Sequence, residues 1–205
     1  MPADVNRLSI KSVAIILAAG SSSRFGQSKQ LLKIGHETLL RNTIRVVLGS
    51  EVNQVVVILG ARGQEHRKEF ADMPVSAVYN PDWEKGMGSS LKCGVQFVLE
   101  KFPSSELILV AVCDQPSLTS DHLKKLMHTF QIKKCPIVAS FYAGVPGVPV
   151  LFHRSMFDHL LALDDEFGAR KIIKDHGEAL CVVDFPAGEV DLDTPDDFEK
   201  FRSTQ

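Results

Sequence analysis

The chain has 205 residues, with 23 Lys and Arg against 25 Asp and Glu, which gives a formal net charge of −2. This balance gives no reason to expect nonspecific binding to nucleic acid or to a membrane surface. A content of 44% hydrophobic and 23% charged residues is typical of a globular chain and excludes a disordered or fibrous one. The length predicts a single domain over 1–205, large enough to fold without a structural metal or a disulfide.

The sequence also argues against export and against a membrane anchor. No apolar run reaches the ~18 residues that a membrane-spanning helix needs, and 1–11 lacks the continuous apolar region of a secretory signal. The cysteines, Cys93, Cys113, Cys135 and Cys181, are scattered singly and form no CxxC pair, so neither a zinc site nor a thioredoxin motif is indicated. We therefore expect reduced cysteines and a cytoplasmic protein.

Short apolar runs alternate with segments of helical spacing along the chain. The runs at 12–17, 54–59, 75–79, 107–113, 136–140 and 179–183 predict strands, and most are covered on both faces, as in a parallel sheet. Helical spacing follows at 39–48, from Ser89-Ser90 through Leu99, at 123–130 with Thr119 or Ser120 as the N-cap, and after Thr194-Pro195. The alternation predicts the α/β class, a doubly wound α/β/α domain of three layers with a mainly parallel sheet. The Gly- and Pro-rich stretch 143–149 is interpreted as a loop or hairpin within this domain.

The loop after the first predicted strand is the most informative stretch. Residues 17–29 read LAAGSSSRFGQSK, and ligands of open α/β sheets bind outside the carboxyl ends of the strands. The small residues let backbone N–H groups approach a phosphate, Arg24 offers a planar fork for phosphate oxygens, and Lys29 adds a compact charge. The stretch contains neither GxxxxGK[ST] nor GxGxxG. It therefore predicts a polyphosphate-binding loop of another kind, in preference to an ordinary strand-to-helix turn.

Further motifs follow this loop in a fixed order: GMGSSL at 86–91, CDQP at 113–116, GVPGVPVLF at 144–152 and DLDTP at 191–195. With the first loop, they resemble the MobA/MocA-like nucleotidyltransferases over about 12–198. The resemblance implies a Rossmann-like nucleotidyltransferase domain. The branch it resembles most transfers the nucleotidyl group of CTP to molybdenum cofactor, which yields molybdopterin cytosine dinucleotide and pyrophosphate, and includes purine-catabolism accessory proteins that serve xanthine dehydrogenase.

The same resemblance assigns roles in nucleotide binding. Arg24 would hold the β- and γ-phosphates and Lys29 the α-phosphate, while Ala19, where guanylyl relatives carry Gly, goes with a preference for CTP. Gly88 and Ser89 would offer donors at a helix N-terminus, although a plain Ser N-cap is the alternative. The full set expected to bind nucleotide is Leu17, Ala18, Ala19, Gly20, Ser21, Ser22, Arg24, Lys29, Asn80, Gly88 and Ser89.

Asp114 ends a strongly apolar predicted strand, at the sheet edge where ligands bind. No Lys or Arg neighbours it in the sequence, and Mg²⁺ favours one or two carboxylates together with substrate phosphates. We therefore favour a magnesium ligand over a turn Asp before Pro116, and count Asp114 with Arg24 and Lys29 as catalytic. Asp193 is preferred to Asp191 as a second metal ligand, although capping of the last helix accounts for it as well.

The acceptor is expected to lie along 144–152 and 167–170, with Gly147, Pro149 and Arg170 as its contacts. This apolar stretch with free backbone groups suits a flat pterin, while Arg170 either pairs with an acceptor anion or lies on a solvated helix face. Val148 stands where relatives often carry His. Two alternatives remain open: a sugar or polyol phosphate as acceptor, and a non-catalytic carrier that delivers molybdenum cofactor to a molybdenum hydroxylase.

Overall fold

The computed structural model describes residues 11–22, 28–190, 192 and 194–203. Its strands are β1 (Ser12–Ala18), β2 (Lys33–Ile34), β3 (Glu37–Thr38), β4 (Gln54–Leu59), β5 (Ser76–Tyr79), β6 (Leu107–Val112), β7 (Ile137–Tyr142), β8 (Val145–His153) and β9 (Leu180–Asp184). Its α-helices are α1 (Leu39–Leu48), α2 (Gly63–Lys68), α3 (Met87–Lys101), α4 (Ser120–Lys133), α5 (Phe157–Leu161), α6 (Ala169–Asp175) and α7 (Pro195–Ser203).

Within these described residues, seven strands form one sheet in the order β5-β4-β1-β6-β8-β7-β9. The central strand β1 pairs in parallel with β4 and with β6, and only β8 runs antiparallel to its neighbours β6 and β7. The stretch 143–149 was predicted to be a loop or a hairpin, and it belongs to a hairpin. Ala143 and Gly144 lie in the turn and have positive φ. Residues 145–152 are thus strand backbone.

Helices cover both faces of the sheet, which confirms the predicted three layers. Ala14 and Ile16 of β1 pack with side chains of α1 and α4 on one face. Val13 and Ile15 pack on the other face with side chains of α3, α5 and α6. The continuous apolar run of β1 follows from this burial on both sides, because neither set of alternating side chains reaches water.

The helix ends differ in how well the sequence anticipates them. Thr119 caps α4 as predicted, because its side chain accepts a hydrogen bond from the backbone N–H of His122. Helix α3, by contrast, begins at Met87 and not at Ser89-Ser90. Gly86 makes this earlier start possible, since its φ of 129° is a conformation that a residue with a side chain rarely adopts.

Cys135, just before β7, and Cys181, the second residue of β9, form a disulfide with their Cα atoms 5.9 Å apart. The expectation of reduced cysteines is therefore wrong for this pair. Spacing gives no sign of the bond, because the two residues are 46 positions apart and meet only through the pairing of β7 with β9.

None of the described helices is long and apolar enough to cross a membrane.

Candidate functional site

A cavity of about 570 Å³ opens at the carboxyl ends of β1 and β6. Three segments line it: the loop after β1, the turn before α3, and the residues at and just beyond the end of β6. The lining residues are Leu17, Ala19, Gly20, Ser21, Ser22, Lys29, Gln30, Trp83, Glu84, Gly86, Met87, Ser90, Val112, Cys113 and Asp114. Because parallel strands end at one sheet edge, motifs distant in the sequence meet here.

The loop after β1 contributes most of the residues that the sequence predicts for nucleotide binding. Leu17, Ala19, Gly20, Ser21, Ser22 and Lys29 all line the cavity. Ala18 is buried in the core on the α1 side of the sheet and is not among the residues that line the cavity, so its contact with a nucleotide stays a prediction. Arg24 lies outside the described residues. The small side chains at 19–22 leave room for an extended ligand beside the backbone of this loop.

Lys29 and Asp114 meet on the wall of this cavity. Lys29 Nζ lies 3.3 Å from Asp114 Oδ2, and the two side chains are 17% and 32% exposed. Asp114 thus has a cationic neighbour in space although it has none in the adjacent sequence. Its backbone carbonyl also accepts a hydrogen bond from the N–H of Leu192, at 3.1 Å. Of the DLDTP motif, Leu192 is therefore adjacent to Asp114.

The described residues contain no cluster of three or more His, Cys, Asp or Glu side chains that could hold a metal ion. Asp114 is nevertheless a hard oxygen donor on the cavity wall, and Mg²⁺ commonly uses one or two carboxylates and completes its shell with phosphate oxygens and water. Asp191 and Asp193 flank Leu192 in the sequence but lie outside the described residues. The donor chemistry at Asp114 therefore fits a magnesium ion that arrives with a phosphate ligand.

Asn80 and Ser89 are engaged with each other. The buried Asn80 donates through Nδ2 to the hydroxyls of Ser89 and Ser90, both at 3.0 Å, and accepts from the N–H of Asp82 through Oδ1. Ser89 in turn donates to the carbonyl groups of Asp82 and Gly86. These bonds shape the turn before α3, and from this serine pair it is Ser90 that lines the cavity. Contact of Asn80 and Ser89 with a nucleotide stays a prediction.

Gly88 connects two of the predicted motifs. Its N–H donates to the carbonyl of Asp165 at 2.8 Å, and a Cβ atom at this position would lie 2.6 Å from the carbonyl oxygen of Phe167. An ion pair between Lys92 and Asp165, at 2.6 Å, holds the same segment. Glycine at 88 therefore lets residues 164–168 pack against the start of α3.

The residues predicted to contact the acceptor do not line the cavity, and two of them lie at Tyr142. Arg170 donates to the Tyr142 hydroxyl at 3.0 Å, and a Cβ atom on Gly147 would lie 2.6 Å from that hydroxyl oxygen. Pro149 is buried in β8, and its carbonyl accepts from Ser140. The structure thus brings Gly147 and Arg170 together at one place, while their contact with an acceptor stays a prediction.

Several residues of this region were not assigned a role from the sequence. Trp83 and Met87 form an apolar wall of the cavity, and Gly60 allows the tryptophan to approach, since a Cβ there would lie 2.6 Å from Trp83 Cβ. Gln115 donates to the carbonyl groups of Val148 and Gly188, which ties the end of β6 to β8. The single tryptophan after a turn was a usable signal. Gln115 stands in the CDQP motif, but nothing in that motif indicated its contacts with Val148 and Gly188.

The fold has three layers, with helices on both faces of a mostly parallel sheet. A loop of small residues, a lysine and an aspartate lie at the carboxyl edge of that sheet. Together these features define the class of Rossmann-like nucleotidyltransferases. Residues 14–180 match the MobA-like NTP transferase domain, and the chain belongs to this family. The resemblance drawn from the motifs is thereby confirmed.

Individual relatives extend over most of the chain. It is 28% identical over 189 residues to the molybdenum cofactor cytidylyltransferase of Escherichia coli (strain K12), and this match covers 90% of the present chain and 92% of that protein. It is 27% identical over 202 residues to purine catabolism protein PucB of Bacillus subtilis (strain 168), covering 93% and 95%. The crystal structure of a Mycobacterium sp. strain JC1 homologue of the M. tuberculosis protein Rv0371c matches with a TM-score of 0.82 at 28% identity, covering 94% and 96%.

Proposed function

We propose that the chain acts as one magnesium-dependent domain that transfers the cytidylyl group of CTP to molybdenum cofactor. The products are molybdopterin cytosine dinucleotide and pyrophosphate, and the dinucleotide would serve a molybdenum hydroxylase such as xanthine dehydrogenase. The observation that carries the proposal is the approach of Lys29 Nζ to Asp114 Oδ2 beside the small-residue loop. The relatives named as a cytidylyltransferase and as PucB support the choice of substrates.

The reaction places few demands on acid–base chemistry. A phosphate oxygen of the acceptor attacks the α-phosphorus of CTP, a new P–O bond forms, and the bond to the β-phosphate oxygen breaks as pyrophosphate leaves. The attacking phosphate is already an anion, so no strong general base is required. The protein instead aligns the two phosphates and stabilises the charge that develops between them.

Lys29 is the residue we assign to that charge. Its ammonium group reaches the cavity from the end of the β1 loop, while the backbone at Ala19 and Gly20 faces the same space. Arg24, assigned from the motif, would neutralise the β- and γ-phosphates. Asp114 would hold a magnesium ion, with Asp193 as the second ligand we propose. When bound, the ion would supply positive charge for the phosphate oxygens and a template for their orientation.

The apolar wall of the cavity favours a flat acceptor. Trp83 and Met87 offer hydrophobic surface in the lining of the cavity, whereas a sugar phosphate would call for several polar side chains there. The acceptor contacts that we propose are Gly147 and Arg170, which lie at Tyr142, and Pro149 of β8; none of them is among the residues that line this cavity.

The test is incubation with each of the four labelled NTPs, Mg²⁺ and molybdenum cofactor under anaerobic conditions, with pyrophosphate release and dinucleotide formation measured separately. We expect pyrophosphate and the dinucleotide with CTP and with none of the other three NTPs. Pyrophosphate release with sugar or polyol phosphates only would favour the alternative acceptor. Tight cofactor binding without pyrophosphate release would favour a carrier.

The base preference has its own test at Ala19. We assign the preference for CTP to this alanine, which lines the cavity. Comparable turnover of GTP and CTP by the unmodified protein would contradict the assignment, and Ala19→Gly should raise GTP turnover relative to CTP.

A further inference from the structure

The two segments on either side of Arg24, 20–22 and 28–30, are joined by side-chain hydrogen bonds that the roles above do not use. Gln30 lies at their centre. Its Nε2 donates to the carbonyl of Gly20 at 3.1 Å, and its Oε1 accepts from the hydroxyls of Ser22 at 3.1 Å and Ser28 at 2.8 Å. The N–H of Lys29 donates to Ser22 Oγ at 3.1 Å. Both ends of the predicted phosphate-binding loop are therefore bonded to one amide group.

His66 packs against this network from behind. It is 1% exposed, and its Nε2 lies 2.7 Å from Oγ of Ser28, which is itself 4% exposed. Burial lowers the pKa of His66, which favours the neutral ring. The Ser28 hydroxyl lies within hydrogen-bond distance of both His66 Nε2 and Gln30 Oε1, and it is held between two buried side chains.

The hydrogen bonds of this network stabilise an unfavourable backbone conformation at Ser22. Ser22 has a φ of 55°, a left-handed conformation that carries an energetic cost for a residue other than glycine. Its hydroxyl both donates to Gln30 and accepts from the N–H of Lys29, so these two bonds offset that cost. Without Gln30, Ser22 would lose one of the two bonds that keep the loop in this conformation.

Lys29 sits between the two anchored side chains. It lies in the short 3₁₀ turn Lys29–Leu31, with Ser28 before it and Gln30, 7% exposed, after it. Its own side chain leaves the turn in the other direction and reaches Asp114. Fixing residues 28 and 30 therefore restricts where the ammonium group of Lys29 can lie.

We propose that Gln30 is a positioning residue for the binding of the nucleoside triphosphate. Its amide joins residues 20–22 to residues 28–30 through Gly20, Ser22 and Ser28, and thereby sets the place of Lys29. This inference rests on the proposed function, since it takes the loop to bind CTP. Gln30 itself need not touch the nucleotide. Misplacement of a binding group by about 1 Å can cost 100-fold in rate, so loss of the network should be visible in binding and in turnover.

The test compares Gln30→Met with Gln131→Met. Methionine keeps the length of the side chain and removes both hydrogen-bonding groups, and Gln131 is an exposed residue of α4, remote from the cavity. We expect Gln30→Met to weaken the binding of CTP with Mg²⁺ by about tenfold or more, as measured by calorimetry, and to lower kcat/KM. The control variant should match the unmodified protein in both.

A double-mutant cycle separates positioning from a general loss of stability. If Gln30 acts by placing Lys29, the variant that combines Gln30→Met with Lys29→Ala should bind CTP no more weakly than Lys29→Ala alone. Losses that multiply would overturn the inference. Should Gln30→Met fail to fold, Ser28→Ala breaks the same network and must also weaken CTP binding; unchanged affinity in that variant would overturn it too.

The outcomes also distinguish this inference from the proposed function. If the unmodified protein transfers the cytidylyl group and Gln30→Met behaves as Gln131→Met does, the inference is wrong and the proposed function stands. If the unmodified protein neither binds CTP nor releases pyrophosphate, both are wrong.

Discussion

Lys29 Nζ lies 3.3 Å from Asp114 Oδ2, so an ion pair on the cavity wall joins two residues that are 85 positions apart. A triphosphate would compete with Asp114 for the lysine, and a magnesium ion would compete with the lysine for Asp114. Each ligand therefore releases a partner that the other needs. Such a coupling is reciprocal, because an effect of nucleotide on metal affinity requires an equal effect of metal on nucleotide affinity.

Asp114→Asn tests this relationship. We expect turnover to fall by about 100-fold, because the metal ligand is lost, while CTP affinity measured without metal falls little or rises, because Lys29 is released. In the unmodified protein, Mg²⁺ should tighten CTP binding, and in the variant this enhancement should disappear. Calorimetric titration with and without Mg²⁺ measures both effects.

The matched control is Asp121→Asn, which alters an exposed carboxylate of α4 and should change neither quantity. Equal losses of turnover and of metal-free CTP affinity in Asp114→Asn would indicate that Asp114 only supports the fold.

Lys29→Ala should lower both CTP affinity and turnover. The lysine provides the charge assigned to the α-phosphate, where negative charge grows during transfer, so we expect kcat to fall by about 100-fold or more. Lys33→Ala, in the exposed part of the β2–β3 hairpin, is the control. Full transfer by Lys29→Ala with CTP and Mg²⁺ would refute the assignment of the loop.

The sequence predicted the layers and most strands because burial on both faces leaves a clear signal, as in β1 and β4. It also singled out the loop after β1 and Asp114, which line one cavity, since a run of small residues and a lone carboxylate at two strand ends are uncommon in ordinary turns. The contact between Lys29 and Asp114 could not be predicted from the sequence, because it depends on β1 lying beside β6 in the sheet and not on any local pattern.

Other features depend on contacts that no local spacing encodes. The fit of Gly88 against the Phe167 carbonyl, and the gathering of Gly147 and Arg170 around Tyr142, each require the path of a distant segment. The network of Gln30 was missed for a different reason. A polar residue after a lysine is ordinary in a sequence, and only its burial together with Ser28 and His66 gives it meaning.

The disulfide between Cys135 and Cys181 should contribute to stability and not to transfer. Because β7 runs parallel to β9 and in the same direction as β6, the disulfide lies at the amino edge of the sheet, opposite the cavity. Closing a 46-residue separation should raise the free energy of unfolding by about 2–4 kcal/mol. Denaturant unfolding of Cys135→Ser measures this, and kcat should stay unchanged.

Cys93→Ser, which lies outside the disulfide, is the control for that variant. Thiol titration of the denatured protein without reductant should detect two of the four cysteines. Four reactive thiols, or equal stability of Cys135→Ser and Cys93→Ser, would contradict the bond.

His122 should make the fold less stable in acid. The ring is 5% exposed, lies 2.7 Å from the Ser140 hydroxyl and stacks on Phe185. Burial first, and Lys125 second, lower the pKa of His122 to about 4. An unfolded histidine takes up its proton near pH 6.5, so between these values the unfolded state binds more protons and stability falls as pH falls.

The free energy of unfolding should therefore fall by about 2 kcal/mol between pH 7 and pH 4.5 because of His122. Urea unfolding of the unmodified protein and of His122→Gln at both pH values isolates it, because the variant lacks this titrating group. A pH dependence of the same size in both proteins would show that His122 is not its source.

The most direct test of the proposed nucleotide site is a crystal structure with Mg²⁺ and the α,β-methylene analogue of CTP, which cannot release pyrophosphate. We predict that the triphosphate lies along the backbone of residues 19–22, with an α-phosphate oxygen within hydrogen-bond distance of Lys29 Nζ and the metal bound to Asp114. A triphosphate bound elsewhere on the molecule, or an analogue in this cavity with the Lys29–Asp114 pair still intact, would contradict this prediction.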